Sequence, residues 1–117
     1  MSEILSLALD DQGDVVVARV TGELDLSNAP KTGDDIAAGV SNTAQALVVD
    51  FSELDFLDSS GVSMLFGLAR TLSGRRQQLH IVAPGGAAVA RVLEIVQFDR
   101  AAPMHTTLET ALAAARG

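Results

Sequence analysis

Two neighbouring serines lie in the segment Asp58-Ser59-Ser60-Gly61, between an apolar run and residues at helical spacing. This spacing predicts that the segment leads from a strand into a helix. Free backbone N–H groups and the positive end of the helix dipole make such a helix start favourable for an added phosphate. The alternative is structural: a serine hydroxyl only caps the helix, and Asp58 only complements its dipole.

The two histidines give little sign of a metal site. His80 lies in an apolar run and His105 near a predicted loop, and neither has a second histidine or a carboxylate at ligand spacing in the sequence. We therefore predict no metal and no cofactor. A histidine acting with Asp58 and Ser59 would suggest a small serine hydrolase, but Ser59 is not in a G-x-S-x-G turn. The protein is predicted not to be an enzyme, with the hydrolase as the enzyme alternative.

Nucleotide-binding motifs are missing from the sequence. Ala83-Pro84-Gly85-Gly86 precedes a predicted helix, but it matches neither the dinucleotide fingerprint nor a Walker A motif, and Lys31 is the only lysine. We interpret the segment as a turn and a helix start. The pair Arg75-Arg76, which follows a predicted helix, is interpreted as solvated.

Composition limits the function classes further. The chain has 117 residues, of which 48% are hydrophobic and 20% charged, which indicates one folded domain with a core. Its net charge of -7 and 3% aromatic content argue against nucleic acid and anionic membrane surfaces as partners. It has no cysteine, and its N-terminus resembles neither a signal peptide nor a membrane span. We expect a cytoplasmic protein without membrane insertion.

The negative charge is concentrated in the first half of the chain. Residues 1–58 contain 12 acidic and 2 basic residues, whereas residues 59–117 contain 3 acidic and 6 basic residues. One part of the surface should therefore be distinctly negative. Two interpretations remain open: a charged docking face, or solvated carboxylates that happen to cluster early in the chain.

Hydrophobic periodicity predicts the elements that position these residues. Two runs around an acidic turn indicate a hairpin, and two later apolar runs indicate buried strands, the first at the middle of the sheet. The predicted strands cover residues 4–9, 15–20, 46–51 and 79–82, with helices near 29–40, 59–72, 87–96 and 107–115. The fold class is α/β, a single domain over residues 1–117. We expect a mixed central sheet of about four to five strands that begins with a β-hairpin and is packed by about four α-helices.

The first predicted helix is the weakest of the four. Gly33 and Gly39 each cost about 1 kcal/mol relative to alanine inside a helix. We therefore expect an irregular or mobile helix, with Ser27 or Asn28 as its N-cap.

The predicted core lies between the central strands and the helix that follows Ser60. Val62 and Met64, near the start of that helix, belong either to the core or to an exposed contact patch. The last helix is predicted to open with a capping box in Thr106-Thr107-Leu108-Glu109. The predicted core residues are Leu47, Val49, Phe51, Leu65 and Ile81.

The order of three segments carries a family resemblance. They are the run from Val15 to Thr21-Gly22-Glu23-Leu24-Asp25, the strand Leu47-Val48-Val49-Asp50-Phe51, and Phe56-Leu57-Asp58-Ser59-Ser60-Gly61 with the helix after it. With this order and spacing the chain closely resembles the STAS domains of bacterial anti-sigma factor antagonists, over almost its whole length. The Thr21–Asp25 motif and the Phe56–Gly61 motif together are a specific signal for this family, whereas either motif alone is a weak one.

The resemblance implies a regulator that binds an anti-sigma factor, usually a serine kinase, and thereby frees a sigma factor. It further implies that this kinase phosphorylates Ser59, with Ser60 as the fallback acceptor, and that a PP2C-type phosphatase is a second partner. Asp25 and Asp58 would line one surface, and Gly61 would let the partner approach closely. On this basis the expected partner-binding residues are Asp25, Ser27, Asp58, Ser60, Gly61, Val62 and Met64.

Two other binding functions remain open for a domain of this kind. One is a STAS subunit that regulates a lipid or anion transport complex, and the other is a STAS scaffold in a larger signalling assembly. A kinase-like anti-sigma factor found as the binding partner would favour the anti-sigma factor antagonist. A transporter ATPase found as the partner would favour the transport subunit.

Overall fold

The N-terminal hairpin forms as its β-branched runs predict. In the computed structural model, which describes residues 4–117, strands β1 (Leu5–Asp11) and β2 (Val15–Leu24) pair antiparallel. Gly13 takes a positive φ of 84° in the acidic turn, a backbone conformation that glycine adopts without steric cost. Its N–H donates to the carboxylate of Asp11 at 2.9 Å. The turn residues therefore hold the two strands in register.

The remaining strands are parallel to β2. They are β3 (Ala46–Asp50), β4 (Leu54–Leu57), β5 (Gln78–Val82) and β6 (Met104–His105). The sheet order is β1-β2-β3-β5-β6, and β4 pairs with the end of β2 beyond β3. The α/β class, the mixed sheet and the central position of β3 are confirmed. The sheet has six strands because β4 and β6, for which the sequence predicts no element, are added to the expected ones.

Four α-helices cover the two faces of the sheet. They are α1 (Ala29–Gly39), α2 (Ser59–Gly74), α3 (Ala88–Ile95) and α4 (Leu108–Arg116), with a short 3₁₀ helix at Phe98–Arg100. Helices α1, α2 and α3 pack on the larger core, and α4 packs on the opposite face over Val15, Val17 and Val48. All five predicted core residues are at most 1% exposed and lie in the larger core, as expected.

The first helix is regular, so the expectation of an irregular helix is wrong. Side chains of neighbouring elements pack directly against its two glycines. A Cβ on Gly33 would lie 2.7 Å from Cγ of Met64, and one on Gly39 would collide with Leu9. The missing side chains therefore allow α1 to pack closely against α2 and β1, and this contact offsets the low helix propensity.

Two predicted helix ends are shifted. Val96, the last residue of the predicted helix at 87–96, lies just beyond the end of α3 and is 37% exposed. The cap of α4 is Thr107, whose hydroxyl accepts from the N–H of Thr110 at 3.2 Å, so the capping box at Thr106 and Glu109 is wrong by one residue. Within residues 4–117 no helix is long and apolar enough to cross a membrane. Residues 1–3, the start of the segment considered as a leader, lie outside the described part.

Candidate functional site

The site begins where two neighbouring parallel strands end. Leu24 of β2 lies opposite Leu57 of β4, and the N–H of Asp58 donates to the carbonyl of Leu24 at 3.2 Å. Because parallel strands end at the same edge of a sheet, Asp25 and Asp58 follow their strands at a common edge. The structure thus brings the TGELD and DSSG motifs together.

Asp58 caps helix α2. One oxygen of its carboxylate accepts from the N–H groups of Ser60 at 2.8 Å and Gly61 at 3.1 Å. Such a side chain satisfies backbone donors that have no partner inside the helix. The alternative that a serine hydroxyl caps this helix is therefore wrong, and neither serine is needed for that purpose.

The Ser59 side chain is available to another molecule. Ser59 is exposed at the first helical position, whereas Ser60 is half-buried. Within residues 4–117 no group forms a hydrogen bond with the Ser59 hydroxyl. Of the two serines, Ser59 is thus the more accessible, and another molecule can reach its hydroxyl without breaking an internal contact.

Asp25 lies in a tight turn between β2 and α1. The Asp25 carboxylate accepts from the N–H of Ser27 at 2.9 Å and from its hydroxyl. The side chain of Asn28 accepts from the N–H of Asp25 at 3.0 Å and donates to the carbonyl of Glu23 at 2.9 Å. Asn28 precedes α1, but no side-chain cap forms there. The side chains of Ser27 and Asn28 therefore order the loop. Asn28 occupies the N-cap position of α1, as predicted, but the expected side-chain hydrogen bond to the helix is absent.

The other expected contact residues divide between the interior and the surface. Gly61 and Val62 are buried, and a Cβ on Gly61 would collide with Leu57, so its lack of a side chain serves internal packing. Val62 belongs to the larger core, and Met64 is half-buried against it. The core alternative therefore holds for Val62, while Met64 remains accessible in part.

Sequence reasoning missed two features around this site. Leu26, directly after Asp25, is 73% exposed, which is unusual for a large apolar side chain in an ordered turn. Arg75 is not merely solvated, since its guanidinium donates to the carbonyl of Ala37 at 3.2 Å near the end of α1. The position of Leu26 directly after Asp25 in the sequence could have indicated its exposure. The contact of Arg75 could not be predicted, because it depends on how α1 and α2 meet.

The structure also brings the two histidines together. They are far apart in the sequence, where neither has a second histidine at ligand spacing, but their rings are in contact in the fold. His80 Nδ1 lies 2.9 Å from His105 Nε2, and His80 Nε2 lies 2.9 Å from Gln78 Oε1. Since Gln78 Oε1 can only accept, the proton sits on Nε2 of His80, and Nδ1 accepts from His105. Burial and, second, the neighbouring His105 lower the pKa of His80.

This histidine pair does not form a catalytic triad with Ser59. His80 alternates along β5 with Leu79 and Ile81, which face the larger core beneath α2. It therefore points to the opposite face of the sheet, where α4 packs. In the described chain no group of three or more histidines and carboxylates is arranged to hold a metal ion.

Comparison with known proteins connects this site to one family. The sequence model of the STAS domain family matches residues 6–111 of this chain. RsfB of Mycobacterium tuberculosis, described as an anti-sigma-F factor antagonist, is 28% identical over 113 residues. The aligned region covers 97% of this chain and 91% of RsfB.

Solved structures agree in fold along nearly the whole chain. The crystal structure of an anti-sigma factor antagonist from Mycobacterium paratuberculosis has a TM-score of 0.85 and 32% identity, covering 97% of this chain and 95% of that one. The anti-sigma factor antagonist SpoIIAA in its unphosphorylated form has a TM-score of 0.73 and 26% identity, covering 96% of this chain and 99% of SpoIIAA.

Proposed function

The chain belongs to the STAS domain family, and from that premise we propose that it is an anti-sigma factor antagonist switched by phosphorylation of Ser59. Unphosphorylated, it binds an anti-sigma factor and thereby releases a sigma factor. The names of RsfB and of the similar solved proteins support this function. The description of SpoIIAA as unphosphorylated supports a phosphate as the switch.

The observation that carries the proposal is the state of Ser59. Its side chain is exposed at the start of α2, its hydroxyl has no partner within residues 4–117, and Asp58 supplies the helix cap in its place. A kinase can therefore modify this hydroxyl without unfolding the helix. Asp25 and Asp58 follow neighbouring strands at the same edge, so the acceptor lies on an acidic surface.

The switch follows from electrostatics. A phosphoserine carries about −1.5 to −2 charges at pH 7. The sequence predicts free backbone N–H groups at this helix start, but those of Ser60 and Gly61 already donate to the Asp58 carboxylate and are not free to neutralise a second anion. The phosphate on Ser59 adds bulk and negative charge next to a carboxylate, which weakens a contact formed with the unmodified surface.

The proposal includes the partners and the setting. The anti-sigma factor is the serine kinase that phosphorylates Ser59, and a PP2C-type phosphatase reverses the modification. The protein itself is regulatory and not an enzyme, and it acts in the cytoplasm. The transport subunit and the signalling scaffold are the competing functions, and the identity of the bound partner separates them.

Phosphorylation and binding can be tested in one set of measurements. Partners captured from the native host by the unphosphorylated protein are identified by mass spectrometry, and the anti-sigma factor is then purified. With ATP, we expect one phosphate on Ser59 by peptide mapping, and a loss of affinity in calorimetric titration. Ser59→Ala should abolish labelling and retain binding, whereas Ser60→Ala should still be labelled on Ser59.

The outcomes discriminate the parts of this proposal. A phosphate mapped to Ser60 would overturn the acceptor alone. Equal affinity for wild type, Ser59→Asp and phosphorylated protein would overturn the switch, and capture of a transporter ATPase without any anti-sigma factor would overturn the function. Repeating the titration near 1 M salt, where the Debye length is about 3 Å, separates repulsion from bulk because only repulsion is screened.

A further inference from the structure

A groove runs between α1 and α2, alongside the phosphoacceptor. Its cavity volume is about 460 Å³. A glycine lines the groove on each helix, Gly33 on α1 and Gly67 on α2. The space beside Gly33 is filled by Met64, but a Cβ on Gly67 would meet only the guanidinium of Arg70, at 3.7 Å. Gly67 is thus the point at which the groove remains empty.

The groove is apolar and continuous with the Ser59 surface. Ser60, the residue after the acceptor, lines it together with Ser63 one turn later. Leu26, 73% exposed, lines it as well. The floor and walls are formed mainly by Pro30, Gly33, Ala37, Met64, Gly67 and Leu68. An apolar side chain placed here would bury surface that the isolated chain leaves in water.

The charged residues around the groove indicate which kind of partner is complementary to it. Among the described residues, Asp34 is the charged residue that lines the groove, and the guanidinium of Arg70 lies beside it at Gly67. Lys31, on the same helix, is paired with Asp35 at 2.8 Å. Asp58 caps the helix that forms one wall, so carboxylates border an apolar channel. A complementary partner presents an apolar side chain with a basic residue next to it.

We propose that this groove is the second contact of the anti-sigma factor, which inserts an apolar side chain between α1 and α2 and places a basic residue against Asp34. This inference rests on the proposed function. It extends the interface from the acceptor, Ser59, to helix α1. The phosphate then stands at one end of a docking groove, where it disturbs an interface that continues along both helices.

Filling the groove tests this contact with little risk to the fold. In Gly67→Leu the new side chain meets only the guanidinium of Arg70, the end of a flexible side chain, at an ordinary contact distance, and leucine favours a helix over glycine. Gly74→Leu is the matched control, because Gly74 lies on the same helix with nothing beside it and outside the groove. We expect at least about tenfold weaker binding of the purified anti-sigma factor to Gly67→Leu, and unchanged binding to Gly74→Leu.

Two further variants probe the chemistry of the occupant. Leu26→Ser removes the exposed apolar side chain and should also weaken the complex. Asp34→Asn should reduce the salt dependence of binding, because it removes a charge that faces the partner. Circular dichroism and the urea midpoint confirm that each variant is folded. Wild-type affinity in Leu26→Ser, together with wild-type salt dependence in Asp34→Asn, would contradict the proposed occupant.

The results separate this inference from the proposed function. If wild type binds no anti-sigma factor, the proposed function fails. If wild type binds and Gly67→Leu binds within about twofold, only the groove contact is overturned. A dimer that is lost in Gly67→Leu at unchanged partner affinity would assign the groove to a second copy. A lipid detected there by native mass spectrometry, again at unchanged affinity, would also overturn the inference.

Discussion

Asp58 combines a structural and an electrostatic role in one carboxylate. It caps α2 through the N–H groups of Ser60 and Gly61, and it puts a negative charge next to Ser59. Substitution can separate the two roles, because asparagine keeps the oxygen that accepts these hydrogen bonds while removing the charge. Alanine removes both.

The first prediction concerns this pair of substitutions. Asp58→Ala should lower the free energy of unfolding by about 0.5–2 kcal/mol, the usual value of a lost N-cap, whereas Asp58→Asn should stay close to wild type. Urea denaturation followed by circular dichroism measures both. An equal loss in the two variants would show that the charge, and not the cap, stabilises the helix start.

The pH dependence of stability follows from His80. Its pKa is lowered from the ordinary value of 6.5 by burial and then by His105. Below about pH 6.5 the unfolded chain therefore binds a proton that the folded chain resists. This contribution to stability is complete above that pH and declines as the pH falls toward the lowered pKa.

We accordingly expect the urea midpoint of wild type to be lower at about pH 5.5 than at about pH 7.5. His80→Gln, which cannot titrate, should show a smaller difference between the two values. Its absolute stability is not the readout, since the substitution also changes a buried side chain. Equal pH differences in wild type and His80→Gln would contradict the role of His80.

At the scale of the elements, Gly33 of α1 allows this helix to pack closely against α2, whereas Gly67 of α2 has no such role. Gly33 leaves room for Met64, so an added methyl group must displace a packed side chain. At Gly67 an added methyl group would meet only the guanidinium of Arg70, at an ordinary contact distance of 3.7 Å. The two positions have the same helix propensity but different surroundings.

This difference predicts opposite results for the same substitution. Gly67→Ala should raise the free energy of unfolding by about 0.5–1 kcal/mol, because alanine is the better helix former. Gly33→Ala should not gain stability, because overpacking of a filled site costs about 1–3 kcal/mol. Thermal or urea unfolding of the two variants checks this, and similar gains in both would refute the packing role of Gly33.

The sequence could predict most elements, since their signals are local. The β-branched runs at 15–20 and 46–51 and the helical spacing after Gly61 hold without tertiary information. The regularity of α1 could not be predicted, because it depends on Met64 and Leu9 lying against its glycines. The short strands β4 and β6 could not be predicted either, since four-residue and two-residue strands depend on their neighbours.

The site divides in the same way. The pairing of Asp25 with Asp58 was predictable through the family resemblance, and the structure places them at adjacent strand ends. The contact of His80 with His105 was not, because it joins residues from strands that are separated by α3 in the chain. The exposure of Leu26 likewise depends on the turn that orders its neighbours.

At the scale of the whole molecule, the two faces of the sheet contribute unequally to stability. The larger core lies beneath α1, α2 and α3, and only a small cluster lies beneath α4. Leu65 is fully buried in the larger core, whereas Leu112 of α4 is half-buried against the smaller one.

The unequal cores predict a ranking of leucine substitutions. Leu65→Ala should lower the free energy of unfolding by about 2–4 kcal/mol, because it leaves a cavity in a packed core. Leu112→Ala should lower it by about 1 kcal/mol, because that side chain is already partly hydrated. Urea denaturation provides both values, and a larger loss at Leu112 would show that α4 covers the dominant core.

Strand β1 has a consequence for the behaviour of the protein at high concentration. It is the end strand of the sheet, and within residues 4–117 no other strand pairs with its outer edge. Such an edge is a template on which strands of other molecules can add and begin an aggregate. Asp10 and Asp11 are exposed at one end of β1, and their charges keep identical copies apart. Substitutions that remove these two charges would remove this protection and favour association of copies through β1.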